Sequence, residues 1–259
     1  MPKSTDERIK RFERAVDALR MRNREADDFK VTEEVFDEPT LKALYTLSSN
    51  GVINALGGSI STGKEANVFH ALGPDGTELA IKIYRITTSD FKAMQDYIIG
   101  DHRFTHVRRT KKELVFAWTK KEYRNLMRAC KARVCVPEPI KYKQNVLVME
   151  FMGKDGVAFP LLRHAIATVQ NPESVYKTTL RFMKKLYQKA HLVHADLSEY
   201  NILIDSEEKP IFIDMGQSVL LDHPYAITFL KRDVKNVVNF FRIAGVHASE
   251  AEALHEITS

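Results

Sequence analysis

Five polar side chains stand where their types and spacing could do chemistry. Asp196 lies in His194-Ala-Asp-Leu-Ser-Glu-Tyr-Asn201, Asn201 follows five residues later, and Asp214 comes thirteen residues after that, behind the apolar run Ile211-Phe-Ile213 and ahead of Met215-Gly216. Magnesium takes hard oxygen ligands, which Asn201 and Asp214 would supply. A carboxylate such as Asp196 can accept or orient the proton of an attacking hydroxyl. Lys82 interrupts Leu79-Ala-Ile-Lys-Ile-Tyr84, an apolar run in which a lysine needs a reason. Glu122 interrupts the row Leu114, Trp118, Leu126, Cys130, spaced four apart, and a carboxylate in an apolar stripe is costly unless it has a partner. An ion pair between Lys82 and Glu122 explains both positions and aims an ammonium at phosphate oxygens. Snorkelling of Lys82 from an edge strand is the plainer alternative.

A glycine-containing stretch, Gly58-Ser-Ile-Ser-Thr-Gly63-Lys64, precedes these residues. It fits most of a P-loop, but Glu65 stands where Ser or Thr should hold magnesium, and Ala66–Ala71 runs almost at once into a turn. A strand–turn–strand hairpin whose backbone N–H groups cradle phosphate suits it better. The order is then glycine-containing hairpin, lysine, glutamate, Asp, Asn five later, and Asp-x-Gly. That is the residue set of a protein-kinase-type phosphoryl-transfer site. The competing reading is a chance set of turn-forming Asp and Asn residues.

These residues need elements to position them. Ser4-x-x-Glu7 is a capping box, and Ile9, Phe12, Val16 and Leu19 behind it predict a helix over 5–23. A second helix is predicted over 39–49, closed by Asn50-Gly51. From 52 to 86 the period shortens, and turn residues separate three antiparallel strands, 52–60, 66–72 and 78–85. Residues 86–110 are polar and mixed, a long loop or marginal helix. A helix over 111–132 follows, then strands at 140–143 and 145–151, a helix over 172–190, a small hairpin 202–204/211–213, and helices over 224–244 and 249–257. The fold class is α+β, with a strand-rich part to about 148 and a mostly helical part after it.

Composition bounds the rest. The 259 residues are 44% hydrophobic and 28% charged, as in an ordinary globular protein. No apolar run is long enough to span a membrane, and residues 1–24 lack a signal-peptide core. With only Cys130 and Cys135, a disulfide framework is excluded and a reducing, cytoplasmic setting is favoured. The net charge is +5, yet residues 82–133 hold fourteen Lys/Arg and five Asp/Glu, a local +9 that faces either solvent or a polyanion.

The runs Ser61-Thr-Gly-Lys-Glu-Ala-Asn-Val-Phe69, His194–Asn201 and Ile213-Asp-Met-Gly-Gln-Ser-Val219 resemble the signatures of the RIO atypical protein kinases, and Ser61–Asn67 resembles the first RIO subfamily. The likeness covers about residues 40–245. It implies a trimmed two-lobed kinase-like fold: a helical extension 1–50, an N-lobe 51–148 with antiparallel sheet, helix and flexible loop 86–110, a hinge 149–153, and a mainly helical C-lobe 154–259. It implies ATP with Mg2+, or Mn2+ in its place. Ser61, Thr62, Gly63, Lys64 and Glu65 would cover the phosphates with Lys82, Met149 would be the gatekeeper, and backbone groups of Glu150 and Met152 would meet adenine. Asp196, Asp214, Lys82 and Glu122 would be catalytic, with Asn201 and Asp214 on the metal. It further implies work on a precursor of the small ribosomal subunit late in maturation, either as an autophosphorylating serine/threonine kinase, with Thr110 a candidate acceptor, or as an ATPase switch through phosphorylated Asp214. Ala195 replaces the arginine that ordinary kinases pair with a phosphorylated activation segment, so no such control is expected; only 45 residues follow Asp214, so a conventional peptide groove is not expected either.

Overall fold

A computed structural model describes residues 36–86, 91–104, 107 and 110–259, without the side chains of 91–93 and 96. The helix expected over 5–23, its capping box, and His106, Arg108 and Arg109 lie outside the described residues. In chain order the elements are α1 (Glu38–Ser49), β1 (Ala55–Thr62), β2 (Ala66–Leu72), β3 (Glu78–Tyr84), α2 (Phe91–Ile98), a 3-10 turn (His102–Phe104), α3 (Lys111–Lys131), β4 (Pro139–Lys143), β5 (Val146–Glu150), β6 (Gly153–Lys154), β7 (Val157–Ala158), α4 (Leu162–Ala165), α5 (Pro172–Gln188), β8 (Leu192–Val193), β9 (Ile202–Ile204), β10 (Pro210–Phe212), β11 (Val219–Leu220), α6 (Ala226–Ile243) and α7 (Glu250–Thr258). This is a trimmed, kinase-like α+β fold.

The chain forms two compact units. The first contains the described residues up to Lys92, Val107–Tyr123 and Pro139–Phe151. Its sheet is antiparallel in the order β1-β2-β3-β5-β4. Alternation along β2 sends Asn67, Phe69 and Ala71 inward, and β3 is buried almost throughout, as its continuous apolar run requires. Helix α1 belongs to this core. Asp37 caps it, accepting from the Thr40 amide at 3.0 Å and its hydroxyl at 2.6 Å, a cap worth about 1 kcal/mol. Leu41, Leu44 and Leu47 then pack with Phe69, Ile81, Ile83 and Val148. The buried Asn145 amide ties the helix to the sheet, donating to Thr40 Oγ1 at 2.7 Å and to the Tyr84 carbonyl at 2.8 Å.

The second unit contains the described residues of 93–106, with Arg124–Glu138 and Met152–Ser259. Asn171 caps α5 by accepting from the Ser174 amide at 2.9 Å, and Pro172 opens the helix. The buried face of α5 meets α6 through Tyr176 and Phe241, whose rings lie 5.3 Å apart. Two short pairings frame the loops between them: β9 with β10, and β8 with β11.

Residues 86–110, read as a long loop or marginal helix, contain a short helix: α2 forms because Met94 and Ile98, one helical turn apart, are both buried, and the 3-10 turn buries Phe104. Residues 124–138, read with the strand-rich part, cluster with the second unit. Arg128 donates to the Ala190 carbonyl at 3.1 Å, and the Phe212 amide donates to the Cys135 carbonyl at 2.9 Å.

Candidate active site

In the first unit, β1 and β2 form the expected hairpin rather than a P-loop. Thr62 pairs with Asn67, and the Gly63 amide donates to the Ala66 carbonyl at 2.9 Å, closing the turn. A Cβ on residue 63 would stand 3.0 Å from that carbonyl oxygen, so a side chain there would press the turn open. Ser61, Thr62, Gly63 and Lys64 are exposed at the tip, and Glu65 is half-buried, its carbonyl accepting from the Arg85 amide at 2.9 Å.

Lys82 lies on β3, the middle strand of the sheet, and is 7% exposed; Glu122 on α3 is 1% exposed. Lys82 Nζ donates to Glu122 Oε1 at 2.9 Å. The Tyr84 hydroxyl donates to Glu122 Oε2, and Lys82 Nζ also sits 5.1 Å from the Tyr84 ring centroid. The carboxylate thus has both oxygens engaged, as a buried charge must. Tyr84 escaped the sequence reading, since an aromatic in a strand needs no special reason. At the end of this unit Met149 is half-buried and Glu150 is exposed, on the last two residues of β5.

In the second unit, Asp196 and Asn201 lie between β8 and β9, and Asp214 between β10 and β11. Because β8 pairs with β11 and β9 with β10, the two loops start and end side by side. The Ile213 amide donates to the Asn201 carbonyl at 3.0 Å, and His194 Nε2 is 3.0 Å from the Ile213 carbonyl. Asn201 Nδ2 donates to the Asp196 carbonyl at 2.8 Å and to Asp196 Oδ2 at 3.1 Å. Gln217 Nε2 reaches the same carboxylate at 3.3 Å. Asp214 has φ +59 and Ala195 φ +66, left-handed conformations rare outside glycine and held here by the surrounding bonds. Burial, and then the Asp214 charge, lifts Asp196 above the usual carboxylate range; Arg232 and the Asn201 bond oppose this. Met152 also lies in this unit, its carbonyl accepting from the Phe159 amide at 2.9 Å.

A carboxylate the sequence reading passed over organises this loop. Asp233 on α6 is 1% exposed; it accepts from the Ala195 amide at 2.8 Å and the Leu197 amide at 3.0 Å, one on either side of Asp196. Burial pushes its pKa to about 7, against those two bonds and the neighbouring Arg232. The adjacent Arg232 donates to the Ala195 carbonyl. Asn125 on α3 was passed over too: its Nδ2 donates at 2.9 Å to both the Met215 and Ser218 carbonyls, fixing the segment after Asp214. Asp233 gave the signal that found Glu122, a polar side chain in an apolar helical row; Asn125, whose helical neighbours include Lys121, Glu122 and Arg128, gave no such signal.

Among the described residues no three His, Cys, Asp or Glu side chains gather into a metal site. Asn201 and Asp214 fit magnesium in another way. With Nδ2 committed to Asp196, the side-chain oxygen Oδ1 of Asn201 is the atom that would meet magnesium, which is ordinarily held by one or two protein oxygens together with substrate phosphates.

Residues 67–254 match the RIO domain family model. The RIO-type serine/threonine-protein kinase Rio1 of Haloferax volcanii is 47% identical over 254 residues, covering 98% of this chain and 86% of that one. The Rio1 of Methanocaldococcus jannaschii is 40% identical over 232 residues, 90% of this chain and 78% of that one. Human serine/threonine-protein kinase RIO1 is 38% identical over 248 residues, and the match spans 44% of its length. Among solved structures, the Rio2 kinase of Chaetomium thermophilum in its ADP/Mg2+-phosphoaspartate complex superposes with a TM-score of 0.62 at 26% identity, covering 84% of this chain and 66% of that one.

Proposed function

This chain belongs to the RIO family of serine/threonine kinases, enzymes that transfer phosphate from ATP, and from that premise we propose how its own residues divide the work. Lys82, held by Glu122 and Tyr84, binds the ATP phosphates under the Ser61–Glu65 turn. Asn201 and Asp214 hold Mg2+, which when bound neutralises charge on the transferring phosphate; Mn2+ serves in its place. Asp196 accepts the proton of the attacking hydroxyl while the terminal phosphate leaves ADP. The adenine meets the Glu150 carbonyl and the Met152 amide behind Met149; the Met152 carbonyl is already occupied by Phe159. The observation that carries this reading is the buried Lys82–Glu122 pair. A lysine in the middle of a sheet is paired with a carboxylate from a separate helix, an expensive arrangement unless the ammonium is used.

The acceptor is a serine or threonine of this chain or of a partner, Thr110 being exposed just ahead of α3. A second acceptor is Asp214 itself. The related Rio2 structure is a phosphoaspartate complex, which favours an ATPase cycle here in which an Asp214 oxygen attacks the terminal phosphorus, ADP leaves, and water later cleaves the acyl phosphate. Either cycle would act on a precursor of the small ribosomal subunit in the cytoplasm. Labelled ATP decides between them. Label on wild type that is lost in Asp196→Ala and survives hydroxylamine is phospho-Ser/Thr. Label discharged by hydroxylamine and absent from Asp214→Asn is the acyl phosphate. Equal labelling of wild type and Asp196→Ala rejects the catalytic assignment.

A further inference from the structure

The basic stretch 82–133 attracts attention in the sequence, and part of its charge is engaged internally. Lys82 pairs with Glu122 and Arg103 with Asp101 at 2.6 Å, while Arg85 bonds Asn67 and Arg128 bonds the Ala190 carbonyl. A separate group of cations, Arg133 among them, gathers on one face of the second unit. Arg181, Lys185 and Lys189 stand four residues apart on α5 and its C-cap. Two other segments bring cations to the same face. Phe182, with Arg181 and Lys185 against its ring, lies 6.0 Å from Phe212 of β10. Lys209 immediately precedes β10, and the Phe212 amide is bonded to Cys135, two residues after Arg133. Lys185 Nζ closes the group by donating to the Arg133 carbonyl at 3.1 Å.

None of these five cations takes part in an ion pair among the described residues. Nearby acids are directed elsewhere: Asp205 accepts from its own turn, Glu208 accepts from the Gln170 and Asn171 amides, and Glu173 pairs with Lys177. Partial burial, and then Arg181, Lys189, Arg133 and Lys209, hold the Lys185 ammonium below the ordinary lysine range. The helix dipole accounts for cations in the last turn of α5. It does not account for Arg181 a turn earlier, nor for Arg133 and Lys209 arriving from other segments. Mutual repulsion on this scale is relieved by a multivalent anion.

We propose that the face formed by Arg133, Arg181, Lys185, Lys189 and Lys209 is a docking surface for the phosphate backbone of RNA. The three helical cations rise roughly 6 Å apart, an interval suited to successive phosphates of one strand. A membrane is disfavoured, because the apolar side of α5 (Val175, Leu180, Phe182, Met183, Leu186) is buried and none of the exposed large apolar residues lies on this face. The surface gives the ribosomal-precursor reading a place of contact and rests on that reading only for which RNA it meets.

The test is fluorescence anisotropy of the whole chain with a labelled RNA stem-loop of arbitrary sequence, over a salt series. Arg181→Gln/Lys185→Gln/Lys189→Gln should weaken binding about tenfold or more near physiological salt and flatten the log–log salt slope by roughly 2, about 0.7 for each of three phosphate contacts removed from a single strand. Arg181→Gln/Lys189→Gln, which keeps the Lys185 bond to Arg133, should show a smaller loss of the same kind. A control pair on exposed β4, Lys141→Gln/Lys143→Gln, should stay within about twofold. ATP turnover should be unchanged in all three. Unaltered RNA affinity and slope in the triple variant, equal loss in the β4 control, or tighter patch-dependent binding to polyglutamate or anionic vesicles than to RNA would each overturn the proposal. Patch-dependent RNA binding by a chain that turns over no ATP would sink the kinase reading and leave this surface standing.

Discussion

Lys82 and Glu122 meet at 2.9 Å in the interior of the first unit, and the second oxygen of Glu122 is taken by Tyr84. Removing one partner of such a pair leaves the other charge buried without compensation, at about 3–5 kcal/mol. Lys82→Met should therefore cost both stability and activity: phosphoryl transfer falls at least a hundredfold by the usual scale of lost phosphate electrostatics. Lys82→Met/Glu122→Gln should recover much of the stability and none of the activity. Urea unfolding of the single and double variants, with ATP turnover alongside, checks this. Equal instability of single and double variants would mean that the pair is not coupled.

Asp196→Asn separates chemistry from architecture. An amide in place of the carboxylate can still accept from Asn201 Nδ2, which donates to that side chain at 3.1 Å. It cannot take a proton. Transfer should drop by about 10²–10⁴-fold, with ATP affinity held within a few-fold. Stability near neutral pH should be equal to or above wild type, because burial and Asp214 already disfavour the ionised form. Isothermal titration with ATP and a thermal melt read these two outcomes; a variant that loses ATP binding would assign Asp196 to the nucleotide instead.

Much of this site was legible from residue type and spacing. Asp196, Asn201 and Asp214 were found because their oxygens match one chemistry, and Glu122 because it breaks an apolar row. Asp233 breaks such a row too, between Leu230, Val234 and Val237, and carried the same message unread. What could not be read is what those side chains bind. Asp233 and Asn125 act on backbone amides and carbonyls, which look alike at every position in a sequence. The β8–β11 pairing that sets the two loops side by side is two residues long, too short for any periodicity. Helix α2 stayed one of two readings open for 86–110, because the segment is short: among its described side chains Met94 and Ile98 are buried, a single pair one turn apart.

Magnesium dependence should expose Asn201. Its Nδ2 orients Asp196, and its side-chain Oδ1 is the atom that would meet the metal. Asn201→Ala should raise the Mg2+ needed for half-maximal turnover by roughly tenfold, the scale of losing one well-placed metal ligand or its support. Excess Mg2+ should restore only part of the rate, since Asp196 has also lost its orienting bond. A magnesium titration of wild type and variant at saturating ATP measures both effects. An unchanged titration midpoint with a lower plateau would confine Asn201 to orienting Asp196.

Asp233 predicts an unusual dependence of stability on pH. Its carboxyl is raised from an ordinary 3.8 to about 7 in the folded chain, so the folded state holds this proton more tightly than the unfolded chain does. The contribution to stability is full below about 4 and is lost as pH rises towards 7, by up to on the order of 4 kcal/mol. In Asp233→Asn that titration is absent. The stability of wild type minus that of the variant should therefore fall between pH 4 and 7, although most of the chain's carboxylates titrate in both proteins and cancel. Activity should move the other way. The ionised carboxylate accepts from both the Ala195 and Leu197 amides and so fixes the backbone on each side of Asp196, whereas an Asn side chain has one oxygen for two donors and leaves one amide unmet. At pH 8 the variant should be no less stable relative to wild type than at pH 5, yet slower in transfer, with ATP affinity unchanged. Chemical unfolding at the two pH values, paired with single-turnover rates, tests both halves; a stability difference that does not move with pH would show that Asp233 stays ionised throughout.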